Sequence, residues 1–145
     1  MRGKRPIGAN GGALDSMSAR ASSDPLASVR KVAEAMAGLR SEMGRLDAGR
    51  VAEAFGLSSA ELAGFLGKSR QTLSKTPDSL SLQPSLRLFE RTARLRAVLS
   101  EADFLSWLNL PNPHLEGRAP IDVIRAGRAN VVANLVEDLL TGAPG

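Results

Sequence analysis

The chain has 145 residues and a formal net charge of +4 at pH 7, a size that suits one domain or two small ones with a modest core. It contains no cysteine and a single histidine, which excludes disulfides and thiolate metal sites, makes a histidine-rich metal site or triad improbable, and fits a reducing cytoplasm. No apolar run is as long as a membrane span and none follows the basic N-terminus, so we expect neither a membrane segment nor a secretory signal.

Charge is distributed unevenly along the chain. From Glu101 onward acidic residues outnumber basic ones, whereas the part before Glu101 is basic. A basic part suits a phosphate backbone and an acidic part suits a different partner, although two ordinary solvated surfaces would give the same pattern.

Residues 1–23 are rich in Gly, Ser, Ala and Arg and poor in apolar side chains, so we expect a disordered basic tail. Its basic cluster either contacts nucleic acid or is simply solvated. The cluster comprises Arg2, Lys4 and Arg5.

A helix is predicted to begin at Asp24-Pro25, with Asp24 as its cap and the proline in its first turn. Apolar residues then recur at steps of three and four, which predicts one helix with a single apolar stripe. The stripe either packs on the core of the same chain or forms a heptad-type dimer seam. Its members are Val29, Val32, Met36, Leu39, Met43 and Leu46.

Residues 48–75 have the outline of a helix-turn-helix. A first helix over residues 50–55 is closed by a glycine, and Ser58 with Glu61 forms a capping box for the second. A tight turn over residues 67–69 leads into a third helix over residues 70–75.

The run G-K-S-R-Q-T-L-S-K over residues 67–75 resembles the recognition helix of Xre-type repressors. Arg70 can bond two acceptors of guanine and Gln71 can bond adenine, while neighbouring side chains hold phosphates. The alternative is a helical corner that never meets DNA. The predicted DNA-binding residues are Lys68, Ser69, Arg70, Gln71, Ser74 and Lys75.

A polar, proline-containing loop over residues 76–84 is predicted to separate residues 24–82 from residues 83–145, and cutting it should expose little core. The next helix, over residues 86–99, is apolar on one side. Its arginines either face nucleic acid or solvent. They are Arg87, Arg91, Arg94 and Arg96.

Ser100 and Asp103 cap a further helix, which ends in a proline-dense turn over residues 107–120. Short helices over residues 121–126 and 130–140 follow. No stretch alternates as a strand does, so the fold class is predicted to be all-α. The side chains expected to pack together beneath the turn are Leu108, Leu110, Leu115, Ile121 and Ile124.

These C-terminal residues resemble the toxin-binding domain of the Xre/MbcA/ParS antitoxins, and the resemblance extends from Asp47 to the C-terminus. It implies an N-terminal helix and helix-turn-helix domain followed by a small helical toxin-binding domain over residues 83–145. The matching pattern is Trp107-Leu108, Pro111-Asn112-Pro113, Leu115, Gly117, Pro120, Asp122, Ile124 and Gly127-Arg128.

The resemblance implies the antitoxin of a type II toxin-antitoxin system. Such a protein covers the active site of a cognate RES-type toxin, which consumes NAD or transfers ADP-ribose, and represses its own operon by binding operator DNA. The implied assembly is a cytoplasmic homodimer within a toxin-antitoxin hetero-oligomer, with no cofactor and no metal. The alternative is a stand-alone helix-turn-helix regulator with a C-terminal dimerisation domain.

An enzyme is not expected, because the chain has one His, no Cys and no Tyr, and has no glycine-rich phosphate loop. Three arginines are placed to mimic or block contacts to an anionic substrate such as the NAD pyrophosphate: Arg118, Arg125 and Arg128. The full set of predicted toxin-binding residues is Asn112, His114, Glu116, Arg118, Arg125, Arg128, Asn130 and Asn134.

Overall fold

The computed structural model describes residues 25–142, so the predicted tail over residues 1–23 and the Asp24 cap lie outside the described residues. Within the described range the chain forms eight α-helices and no strand, which confirms the all-α prediction. The helices are α1 (Pro25–Ala37), α2 (Ala48–Ala54), α3 (Ser59–Leu66), α4 (Arg70–Lys75), α5 (Gln83–Ala93), α6 (Glu101–Asn109), α7 (Pro120–Arg125) and α8 (Ala129–Thr141). Short 3-10 turns span Leu80–Leu82, Arg94–Ala97 and Pro113–Leu115.

Helix α1 is shorter than its apolar spacing predicted. It ends at Ala37, and the chain then forms a tight turn in which the Ser41 N–H donates to the Arg45 carbonyl at 2.7 Å. Gly44 has φ +83°, a conformation that a side chain disfavours, so the glycine fixes the reversal. The prediction of one continuous stripe to Leu46 is therefore wrong: Met43 is 75% exposed.

Local capping determines where the next two helices begin. The Asp47 side chain accepts from the Arg50 N–H at 3.0 Å at the start of α2. The predicted capping box of α3 is present, with the Glu61 N–H donating to Ser58 Oγ at 3.0 Å and the Ser58 N–H donating to Glu61 Oε1 at 2.8 Å. Each bond satisfies a backbone N–H that the helix itself leaves without a partner.

One hydrophobic core runs through the chain from Leu39 to Val136. At its centre the Phe55 ring lies edge-on to Phe89 at 5.1 Å and to Phe104 at 5.4 Å between centroids. Phe55 directly follows α2 as its C-cap, and its two partners come from α5 and α6, so both predicted halves share this cluster. A cut near residue 82 would therefore expose core, contrary to our expectation for that loop.

A buried glutamine joins the start of α5 to the turn after α1. Gln83 Oε1 accepts from the Leu46 N–H at 2.9 Å, and its Nε2 donates to the carbonyls of Leu46 and Ser79, each at 3.0 Å. The same region is linked by an ion pair between Arg40 and Glu90 at 2.8 Å. These bonds leave the buried amide well satisfied and fix α5 against the N-terminal part.

The helix predicted over residues 86–99 divides into α5 and the 3-10 turn Arg94–Ala97. Arg91 is committed to the protein itself, because its Nη2 donates to Asn134 Oδ1 and Glu137 Oε1, each at 2.8 Å. This arginine therefore ties α5 to α8, whereas Arg87 and Arg94 remain exposed.

Candidate functional site

The proline-dense turn after α6 is closed by its own backbone. The Asn112 N–H donates to the Arg118 carbonyl at 3.0 Å, and the Gly117 N–H donates back to the Asn112 carbonyl at 2.9 Å. The Asn112 side chain accepts from the His114 N–H at 2.8 Å. Glu116 is the one non-glycine residue with positive φ in the described chain, at +59°. The turn thus presents its side chains on a backbone of fixed shape.

Four of the five apolar residues predicted beneath this turn are buried: Leu108, Leu115, Ile121 and Ile124. Leu110 is not, since 58% of it is exposed, and that part of the prediction is wrong. The chain leaves α6 in an extended conformation at Leu110, with φ −107° and ψ 149°. Helical spacing therefore no longer determines where this side chain points.

Four of the predicted toxin-binding residues line one open groove between the turn and the last two helices. They are His114, Glu116, Arg118 and Arg128. Three apolar side chains complete its lining: Leu115, Val123 and Val131. Neither Arg118 nor Arg128 forms an ion pair with any residue in the 25–142 range. The groove therefore combines two guanidinium groups that have no ion pair in this range with three apolar lining side chains.

The other predicted residues lie apart from this groove. Arg125 pairs with Asp122 at 2.6 Å, and its guanidinium carbon lies 5.5 Å from the centre of the Phe65 ring of α3. Asn134 is held by Arg91, and Asn130 is exposed in the first turn of α8. Asn112 is buried, so its side chain supports the turn from within.

Helices α3 and α4, joined by residues 67–69, form a helix-turn-helix arrangement. Leu73 is buried and anchors α4, while the six predicted DNA-binding residues are all exposed. The Ser69 hydroxyl accepts from the Thr72 N–H at 3.1 Å and is thereby used as the helix cap. Arg70 and Gln71 project from the first turn of α4 without a side-chain partner among the described residues.

Glu61, on the helix before that turn, carries the one clear electrostatic perturbation in residues 25–142. The Ser58 backbone N–H donates to its carboxylate and, with the Ser58 hydroxyl, holds the pKa of Glu61 below its ordinary value of 4.5. The charge of Arg125 acts in the same direction. Arg125 of α7 therefore lies close to two side chains of α3, Glu61 and Phe65.

The fold and these surfaces define a helical binding protein with a helix-turn-helix in its first part and a basic groove in its second. Residues 94–142 match the family model of the antitoxin Xre/MbcA/ParS C-terminal toxin-binding domain, and this match supports the Xre/MbcA/ParS antitoxin family for the chain. The match contains the whole turn, α6, α7, α8 and every groove residue.

The family match supports an antitoxin role with a toxin as the partner, and it indicates a non-enzymatic regulatory protein. Comparison with curated proteins and with solved structures gave no match. None of the helices in the described range is long and apolar enough to cross a membrane.

Proposed function

We propose that this chain is the antitoxin of a type II toxin-antitoxin system and neutralises an RES-type toxin by covering its active site. The observation that carries the proposal is the pair Arg118 and Arg128, which lie in one groove of the toxin-binding domain without an ion-pair partner among residues 25–142. The proposed toxin consumes NAD or transfers ADP-ribose, and the complex forms in the cytoplasm.

The groove has the chemistry to compete at a site for an anionic dinucleotide. A guanidinium group pairs with carboxylate or phosphate through two parallel hydrogen bonds. Arg118 and Arg128 can thereby bind acidic side chains at the mouth of the toxin site or the pyrophosphate of NAD itself. Glu116, on the same groove, offers a carboxylate to any toxin cation that would otherwise hold that pyrophosphate.

Leu110 supplies an apolar anchor beside the proposed contact residues. It is 58% exposed and is followed by Pro111 and Pro113, which are exposed as well. Burying such a leucine contributes about 1.5–3 kcal/mol, and the hydrogen-bonded turn lowers the entropy lost when it binds. We therefore add Leu110 to the toxin-binding set.

The direct test is the affinity of purified variants for the co-expressed product of a neighbouring gene. Replacing Leu110 with Asp, or Arg118 and Arg128 together with Ala, should weaken binding at least tenfold, since 1.4 kcal/mol corresponds to about a factor of ten. Arg87→Ala is the matched control, because Arg87 is an exposed arginine on α5 and outside the groove. Wild-type affinity in both the Leu110 variant and the Arg118–Arg128 double variant would refute the assignment of this face.

We also propose that the protein acts as a homodimer that represses its own operon, with α4 in the major groove of the operator. The support is the exposure of Arg70 and Gln71 in the first turn of α4, where such helices read bases. Lys68 and Lys75, exposed and without ion pairs in the described part of the chain, are placed to contact phosphates. The six predicted DNA-binding residues therefore form one proposed surface.

A further inference from the structure

Helix α1 leaves an apolar stripe uncovered. One side of the helix packs against α5 and the 3-10 turn Arg94–Ala97, where Met36 is half-buried. On another side Leu26 is 72% exposed and Val29 is 66% exposed. Ala33 and Ala37 are exposed too. At 100° per residue these four side chains share an arc of about 80°.

The charged residues bordering this stripe are arranged in opposite signs along one edge. Arg30 and Glu34 are both exposed and lie one helical turn apart, about 6 Å along the axis. When two copies of a helix pair antiparallel about a two-fold axis, the same edge of each copy comes together and the residue order is reversed. Arg30 of either copy then faces Glu34 of the other.

We propose that α1 pairs with α1 of a second copy of this chain, antiparallel, with the two-fold axis near residues 31–32. In this register Leu26 lies opposite Ala37, so a large side chain meets a small one at both ends of the seam. Small residues at a helix crossing allow the two backbones to approach closely. The two Arg30–Glu34 pairs flank the seam and fix its direction.

The exposed stripe of α1 is complementary to itself, and this is why a second copy of the chain is the partner proposed to cover it. An interface around a two-fold axis requires a residue and its complement on the same surface, equidistant from the axis. Arg30 and Glu34 are centred on residue 32, and Leu26 and Ala37 are centred half a residue before it, so one axis serves both pairs to within about 1 Å. Neither residues 1–24 nor a toxin surface would require α1 to be complementary to itself.

The seam is short, so the dimer should form reversibly. A helix of 13 residues is about 20 Å long, and the contact is smaller than a standard interface of about 1,600 Å². The association should therefore depend on concentration. The inference specifies the surface of the homodimer in the proposed function, but it requires neither toxin nor DNA.

The test is a charge exchange measured on the free full-length chain by sedimentation and native mass spectrometry. The wild type should approach twice the 15.3 kDa monomer mass as concentration rises. Arg30→Glu places two negative charges on the edge and Glu34→Arg places two positive charges there. Each variant alone should dimerise at least tenfold more weakly, and an equimolar mixture should form the heterodimer.

Two controls make the result specific. Lys31→Glu makes the same charge change as Arg30→Glu, but Lys31 projects away from the stripe and should leave dimerisation unchanged. Leu26→Asp should abolish the dimer while circular dichroism retains the helical signal, because Leu26 is exposed in the monomer. A wild type that stays monomeric, or mixed variants that fail to pair, would overturn the proposal whether or not the chain binds a toxin.

Discussion

Replacing Phe55 with Ala should destabilise the toxin-binding domain, although Phe55 precedes that domain in the sequence. Its ring is 2% exposed and lies between Phe89 of α5 and Phe104 of α6. Truncating a buried phenylalanine costs about 3–5 kcal/mol, and each edge-to-face pair adds about 0.5–1.5 kcal/mol beyond the buried area. We therefore expect a loss near the upper end of that range.

Trp107 allows the destabilisation caused by Phe55→Ala to be measured within the toxin-binding domain. It is the sole tryptophan of the chain and stacks on Phe104 with ring centroids 6.4 Å apart. Its fluorescence during denaturant unfolding should therefore report the loss caused by Phe55→Ala. The expected loss is a large share of the total of about 5–15 kcal/mol for a natural domain, and Tm should fall by roughly 10–20 °C.

The control is Leu80→Ala, which truncates a 70% exposed leucine in the loop before α5. A substitution at such a surface position should change stability by less than about 0.5 kcal/mol. If Phe55→Ala left the Trp107 transition at its wild-type midpoint while circular dichroism showed early loss of helix, the two parts would unfold independently. Our description of one shared core would then be wrong.

Three further predictions concern individual side chains. Trp107→Ala removes a half-buried indole and should lower the free energy of unfolding by about 3 kcal/mol. Near-wild-type thermal stability together with lost toxin binding would instead make Trp107 an interface anchor. Because the pKa of Glu61 is lowered in the folded state, the capping box contributes its full stability above pH 4.5 and loses it as the pH falls through the lowered pKa. Urea titrations at several pH values should therefore show a weaker pH dependence of stability in Ser58→Ala than in the wild type. Arg70→Ala with Gln71→Ala should weaken operator binding by ~1–3 kcal/mol in a gel-shift titration and leave toxin neutralisation intact, and unchanged DNA affinity would contradict the base-reading role of α4.

Local sequence signals predicted the helices well because their causes are local. The capping box of Ser58 and Glu61 involves bonds between residues three apart. The start of α4 after Ser69 and the helix after Pro120 also follow from nearby caps and prolines. The boundaries of these elements could therefore be read from the chain alone.

The features that the sequence did not predict depend on distant residues. Gln83 bonds to the backbone of Leu46, which lies 37 residues away. Arg125 has a cation–π contact with Phe65 on another helix. No local pattern distinguishes such a buried amide or committed arginine from a solvated one. Half of the toxin-binding residues predicted from the sequence consequently lie in one groove, and the rest lie elsewhere.

Leu110 illustrates the same limit at the site itself. Its neighbours in the apolar pattern are buried, and we expected Leu110 to pack beneath the turn with them. The backbone leaves the helix at Leu110, because Pro111 restricts the residue before it to an extended conformation. The same proline restriction that ends the helix also accounts for the outward direction of the Leu110 side chain.

The most direct test of the central claim is inhibition of the purified cognate toxin by the purified chain. NAD consumption or ADP-ribose transfer should fall to background when the chain is added in stoichiometric amount. The chain with both Arg118→Ala and Arg128→Ala should need at least tenfold more protein for the same inhibition, while Arg87→Ala should act like wild type. Full toxin activity in the presence of excess wild-type chain would contradict the proposed neutralisation, and full inhibition by the double variant would contradict the role of the groove.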